Sequence, residues 1–309
     1  MIMLQTAEKR TGRNAEQMPV LSRDRWMAMK QRHEDELAGL LDPYLEKRSR
    51  QIKDPVLDFL FEYYAFRPSH LKRWTPGIGV HLECDEPSEL PEISEFTVKD
   101  GTAFLNPDFF PNKRIRSLKW TLEMLEKSGD KKPFFGCFGM HEWAMMYRAE
   151  NVRHDQIPLR LPDEEIAEFV ESRPLLCTHF DAFRFFTEKA RPMNRHSLSR
   201  ETFSDMEQPA CVHTNMDLYK WAYKLHPWIS GEIIREAFFN AVEARKTDMQ
   251  ASPYDATQFG LEPIKIETEQ GRKEYLDKQM EIYRNSMPIR EKVIGAYRRV
   301  IDFCYEFSS

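Results

Sequence analysis

Apolar residues recur along most of this chain at three- and four-residue intervals, the spacing that turns one face of a helix toward a core. The first such stretch begins at Ser22, a residue type suited to capping a helix N-terminus. Asp42-Pro43 and Asp54-Pro55 each set an acid before a proline, the order of an N-cap and a first helical residue, so two helix starts are expected there. The second helix should carry Val56, Phe59, Leu60 and Tyr63 inward. Ile115, Leu118, Leu122 and Leu125 share one helical face, with Gly129 positioned as a left-handed C-cap. Ser230 opens a helix striped by Ile233, Ile234, Ala237, Phe238, Ala241 and Val242. From Gly271 to Phe307 the pattern is again helical, and Pro288 is expected to divide it into two helices, because proline lacks an N–H and crowds the preceding turn.

The period changes over residues 77–105, where Gly-Ile-Gly-Val-His-Leu, Glu-Phe-Thr-Val and Thr-Ala-Phe-Leu are joined in part by Asp100-Gly101, a tight-turn pair. A small antiparallel β element is expected there. Phe138 to Arg148 reads as helix, Ile157 to Leu161 as extended, Pro162 to Val170 as a short amphipathic helix and Leu175 to Thr178 as a brief strand. Helices follow from about His179 and about Asn215, separated by an irregular basic loop from Lys189 to Arg200. Residues 1–20 are polar and aperiodic and read as a disordered tail. The expected fold is therefore mainly α, a compact helical domain over residues 21–309 with one small β element.

Composition narrows this picture. At 309 residues and 41% hydrophobic content, the chain can bury a large core without cross-links. Its five cysteines, an odd number without short paired spacing, suit a reducing compartment. No apolar run reaches the roughly 18 residues of a membrane span, and the N-terminus lacks the order of a secretion signal, so a cytoplasmic location is expected. A net charge of −5 provides no global attraction to nucleic acid, although it leaves room for a local basic groove.

Candidate chemistry concentrates between Cys137 and Asp255, which hold six of the nine histidines (His141, His154, His179, His196, His213 and His226) and three of the five cysteines. Three strings combine ionisable groups with aromatic rings: Phe135 to Trp143, Cys177 to Phe186 and Cys211 to Trp221. In the first, His141, Met145 and Arg148 fall on one helical face, and Gly136 and Gly139 allow either close approach of an anion to the helix N-terminus or a simple turn. In the second, Thr178-x-x-Asp181 has the form of a capping box, leaving His179 and Arg184 as the members with functional potential. In the third, Asp217, Lys220, Trp221 and Lys224 share a face, so Lys220 would keep Asp217 ionised if that face lines a cleft. The structural alternative is a carboxylate that complements its helix dipole. Cys177-x-His179 and Cys211-x-His213 together offer a Cys2His2 metal set, although zinc pairs usually have two or more residues between ligands. Tyr254 and Asp255 lie in a helix-exit turn that could rim a cleft. No nucleophile elbow, phosphate-binding loop or dinucleotide fingerprint is present.

The segments at 135–145, 177–186 and 216–225 resemble a bacterial family of about this length labelled 3-methyladenine DNA glycosylase, with similarity running from about Asp42 to Arg284. The resemblance implies hydrolysis of an N-glycosidic bond, with a carboxylate activating water or stabilising an oxocarbenium-like sugar while aromatic rings hold the base. Local chemistry then makes Asp217 the first choice of carboxylate, followed by Glu142 and Asp181, with His141 and His179 as further catalytic candidates. Trp143, Tyr219 and Trp221 are the candidate stacking surfaces, and Arg148, Arg184, His213, Lys220 and Tyr254 complete the expected substrate contacts. The substrate would be alkylated DNA or a nucleoside; the acidic chain and the lack of a helix-hairpin-helix glycine pattern favour a free nucleoside, nucleotide or modified small molecule over DNA. No cofactor, membrane or protein partner is expected. Two other readings stand beside it: a metal-dependent enzyme drawing on His141, Glu142, His179, Asp181, His213 and Asp217, and a non-catalytic protein that binds a planar or anionic ligand.

Overall fold

The computed structural model describes residues 18–150 and 157–307. Among them the chain forms eleven α-helices and four short strands, a mainly α architecture. Helix α1 (Arg23–Ser49) follows Ser22 as expected but runs straight through Pro43. Leu41 and Tyr44 are buried on either side of that exposed proline, so packing holds the helix, and Asp42 pairs with Lys72 rather than capping a new start. Asp54 does cap α2 (Pro55–Asp58), accepting from Leu57 N at 3.2 Å. That helix widens into a π turn over Phe59–Tyr63. Leu60 enters the core as expected, whereas Phe59 and Tyr63 stack on each other at 4.8 Å and stay half-buried. A short helix α3 (Pro68–Leu71) leads toward the sheet.

The sheet contains β1 (Val20–Leu21), β2 (His81–Glu83), β3 (Phe96–Lys99) and β4 (Thr102–Leu105) in the order β1-β2-β4-β3. The β3–β4 hairpin turns at Asp100-Gly101 with φ of 50° and 73°, the left-handed pair such a turn needs. β1 pairs parallel to β2, which makes the sheet mixed rather than purely antiparallel and moves the end of the expected tail: Val20 is a strand residue, and residues 1–17 lie outside those described.

Seven helices carry the remainder: α4 (Ile115–Gly129), α5 (Met140–Met146), α6 (Asp163–Glu171), α7 (Phe180–Phe183), α8 (Phe203–Met206), α9 (Val212–Lys224) and α10 (Gly231–Gln250). The last helix, α11 (Glu269–Phe307), packs on α4, α9 and α10. Ser230 caps α10 by accepting from Glu232 N, and most of the expected stripe is buried. Gly129 is helical and not a left-handed cap; a Cβ there would meet Arg290 Cδ at 3.3 Å, so the glycine makes room for a buried arginine that donates to Ser128 and Asn215. Leu175 to Thr178 does not join a sheet. Asn194 receives it instead, accepting from Cys177 N at 2.8 Å and donating to Cys177 O at 3.0 Å. No helix among the described residues is long and apolar enough to cross a membrane.

Pro288 lies inside α11, which is continuous for 39 residues. The proline is exposed while Ser286, Ile289 and Arg290 are buried, so packing of its neighbours holds the helix together across the hydrogen bond that the proline cannot donate. Replacing Pro288 by alanine restores that hydrogen bond. Urea unfolding of Pro288→Ala should show a gain of about 1–3 kcal/mol, and a loss would contradict this account of the helix.

Candidate active site

Helix α9 is buried on almost every side, so its polar residues must find partners inside the protein. His213, Asp217 and Lys220 recur at intervals of four and three and share one face. Asp217 is 3% exposed; it accepts from Lys220 Nζ at 2.6 Å and from Tyr64 Oη at 2.7 Å. Lys220 Nζ also reaches Asp181 at 3.3 Å. Burial alone would raise the Asp217 carboxyl, but Lys220, His179 and the hydrogen bonds from Lys220 and Tyr64 hold it below the usual carboxylate range. Asp217 is therefore ionised.

Opposite it, α5 and α10 bring a second set of charges together. His141 Nε2 lies 2.6 Å from Asp248 Oδ1, and its Nδ1 lies 3.2 Å from Cys137 Sγ. Arg245, one turn before Asp248, donates to it at 2.7 Å and approaches Glu142 at 3.6 Å. His141 and Arg245 hold the Asp248 carboxyl far below its ordinary value despite complete burial. Glu142 behaves in the opposite way: burial, reinforced by the neighbouring Asp248, pushes it up to about 7. His213 is pushed down to about 3 by burial and stays neutral.

The two halves meet at stacked imidazoles. His179 and His213 lie 5.2 Å apart at 19°, and His141 meets His213 edge-on at 4.6 Å. His179 is oriented by Glu207, whose Oε1 is 2.7 Å from Nδ1 and whose other oxygen accepts from Thr214. Glu207 raises the His179 imidazole against the opposing effect of burial.

A cavity of about 430 Å³ has Glu142, Asp181, Asp217, His179, His213 and Arg245 in its wall. Phe59, Tyr63, Tyr64 and Phe185 supply its aromatic lining. An adjoining space of about 380 Å³ shares Phe59, Tyr63, Glu142 and Arg245 with it and adds Tyr254. Both volumes fall in the range of small-molecule sites.

The three sequence strings thus converge on one cavity, but not every expected residue takes part. His141 lies behind the wall, engaged through both ring nitrogens, so it positions Asp248 and does not touch a ligand. Trp143 is fully buried, donating to Ala251 O at 2.8 Å, and Tyr219 is likewise enclosed among Tyr64, Phe66 and Phe238. Neither can stack on a substrate. Trp221 turns the other way, toward Trp120 and Lys224. Arg148 leaves α5 in a left-handed conformation and pairs with Glu171 at the surface. Arg184 sits at the edge, near Asp181 and the Tyr63 hydroxyl. Asp181 forms no capping box, because His179 is the N-cap and no side chain bonds there; that carboxylate is left for Lys220.

Gly139 is left-handed and its absent Cβ would meet Ala251 at 3.1 Å, so it shapes the turn that seats α5 on the end of α10. A turn is one of the two readings that the spacing of Gly136 and Gly139 leaves open. His154 lies outside the described residues. Asp248, Arg245, Glu207, Tyr64, Phe59 and Tyr63 were not foreseen as site residues. One signal for the first two was available: Arg245 and Asp248 extend the stripe of Phe238, Ala241 and Val242 at helical spacing, which marks them as buried charges.

Two groups of side chains bring potential metal donors within 4.8 Å of one another: His141, Glu142, His213 and Asp248, and His179, Asp181 and Asp217. The foreseen Cys2His2 set is not among them. In both groups a protein cation already stands beside two carboxyls, Arg245 at Asp248 and Glu142 and Lys220 at Asp217 and Asp181. Comparison with protein-family models, curated proteins and solved structures yields no match.

The raised Glu142 carboxyl makes a linkage prediction. Its folded value of about 7 exceeds the ordinary 4.5, so the folded state binds the extra proton between those values and wild-type stability falls as pH rises through that window. Glu142→Gln removes this contribution. The variant should gain stability relative to wild type between about pH 5 and 7, by roughly 1–3 kcal/mol in denaturant titrations, and a pH-independent difference would contradict the assignment.

Proposed function

We propose that this cavity is the active centre of a cytoplasmic hydrolase of N-glycosidic bonds, acting on an alkylated base in DNA or a nucleoside. One observation carries the reading: two carboxyl groups in opposite protonation states line the same aromatic-walled cavity, Asp217 ionised and Glu142 protonated up to about neutral pH. Such a pair supplies an acid and a base to one reaction. Glu142 donates its proton to the departing base, and the C–N bond breaks with the electron pair going to the base nitrogen. Asp217 stabilises the oxocarbenium-like sugar and accepts a proton from the water whose oxygen joins the anomeric carbon. Phe59, Tyr63 and Phe185, in place of the tryptophans, form the aromatic wall against which a flat base would lie. The resemblance of the three strings to glycosylase-labelled proteins supports the same reaction class.

The two donor groups favour a second reading, a metal-dependent hydrolase with His213 among the ligands. Arg245 and Lys220 weigh against it, since each already neutralises the carboxylates that a cation would need. Stoichiometric metal in the purified protein, lost in His213→Ala, would favour this alternative.

The lead reading is tested by base release from alkylated DNA and from the corresponding nucleoside. Asp217→Asn should lower turnover by about 10²–10⁴-fold while circular dichroism still reports a folded chain. Wild-type turnover should fall as pH rises through about 7, where Glu142 loses its proton, and Glu142→Gln should lack that limb. Unchanged turnover in Asp217→Asn would overturn the proposal.

A further inference from the structure

Residues 109–122 contain Lys113, Arg114, Arg116 and Lys119 and no acid, in a chain whose net charge is −5. They surround the start of α4, whose first turn holds no carboxylate. The positive end of a helix dipole stabilises anions, so cations gathered there are held where the field disfavours them. None of Lys113, Arg114, Arg116, Lys119 or Lys224 pairs with a carboxylate among the described residues. Lys224 is drawn into the group by Arg114, which donates to its carbonyl.

An aromatic ring stands among these charges. Trp120 is 44% exposed, backed by Phe203 at 6.0 Å and meeting Trp221 edge-on at 6.3 Å. Trp221 carries Lys224 and Lys220 on its ring, each at 4.6 Å, and Lys220 holds Asp217. The patch is therefore continuous, through Trp221 and Lys220, with the proposed catalytic carboxylate. An ordinary solvated helix face would mix both signs of charge and would not expose a tryptophan supported from beneath.

We infer that the α4 face binds single-stranded DNA, with phosphates on Lys113, Arg116, Lys119 and Lys224 and an unstacked base on Trp120, leading the strand toward the cavity. Cations without carboxylate partners, Lys119 resting on the Tyr305 ring and Lys224 on that of Trp221, supply the sequence-independent attraction and a supported indole the stacking, the two components of single-strand recognition. The inference rests on the N-glycosidase reading for its direction, and it assigns a polymer as substrate where the global charge had favoured a free nucleoside.

The test is fluorescence anisotropy of a labelled single-stranded oligodeoxynucleotide over a salt series, with base release measured in parallel on the free nucleoside. Four phosphate contacts predict a log–log salt slope of about −3 for wild type, falling to about half in Arg116→Ala/Lys119→Ala. Trp120→Ala should bind about tenfold more weakly at an unchanged slope. The double variant should hydrolyse a free nucleoside as wild type does, which also shows that it is folded. Absent binding at low salt, or variants that bind like wild type, would overturn the surface while leaving the reaction standing. The expected binding pattern without base release from any substrate would overturn the reaction and leave the surface.

Discussion

The pairing of Asp217 with Lys220 and of Asp248 with Arg245 is the constraint on which the rest of this interior depends. Each pair sits three residues apart on a helix that is buried along most of its length. An unpaired charge in such a place costs several kcal/mol, and losing one partner leaves the other stranded. A buried ion pair is nonetheless a weak source of stability, since well-packed apolar residues serve as well. The use of four such residues, with three imidazoles between them, fits what the pairs do to their neighbours. Lys220 keeps one carboxylate charged, while the negative Asp248 and the dry surroundings keep Glu142 protonated to about 7.

Supporting parts of the fold follow from that arrangement. The left-handed turn at Phe138 and Gly139 brings α5 against the end of α10, which is what lets His141 meet Asp248 and Glu142 meet Arg245. The π turn in the segment after α2 carries Phe59 and Tyr63 out of the core and into the cavity wall. π turns recur at functional sites because the extra residue re-aims side chains that a regular helix would bury.

Much of this was legible from residue patterns. The helix stripes, the Asp54-Pro55 cap, the hairpin at Asp100-Gly101 and the sharing of one helical face by Asp217 and Lys220 all follow from local rules. The failures share a physical cause. Pro43 and Pro288 read as helix breaks, yet packing on the flanking turns overrides a local penalty of a few kcal/mol. Trp143, Tyr219 and Trp221 read as stacking surfaces, but a large ring beside ionisable residues is as often a core element, and the side of a helix that faces a cavity is decided by tertiary contacts. Glu207 carries no local mark, because its partner His179 lies 28 residues away in the chain. Long-range pairing of that kind leaves no periodic trace.

The central claim is that two carboxyl groups in one cavity hold opposite charge states at neutral pH. Carbon-13 NMR titration of carboxyl-labelled protein, assigned with Glu142→Gln and Asp217→Asn, reads it directly. The account predicts a Glu142 resonance titrating near 7 and an Asp217 resonance titrating below the ordinary aspartate value. Two resonances titrating together near the values of exposed carboxylates would contradict it.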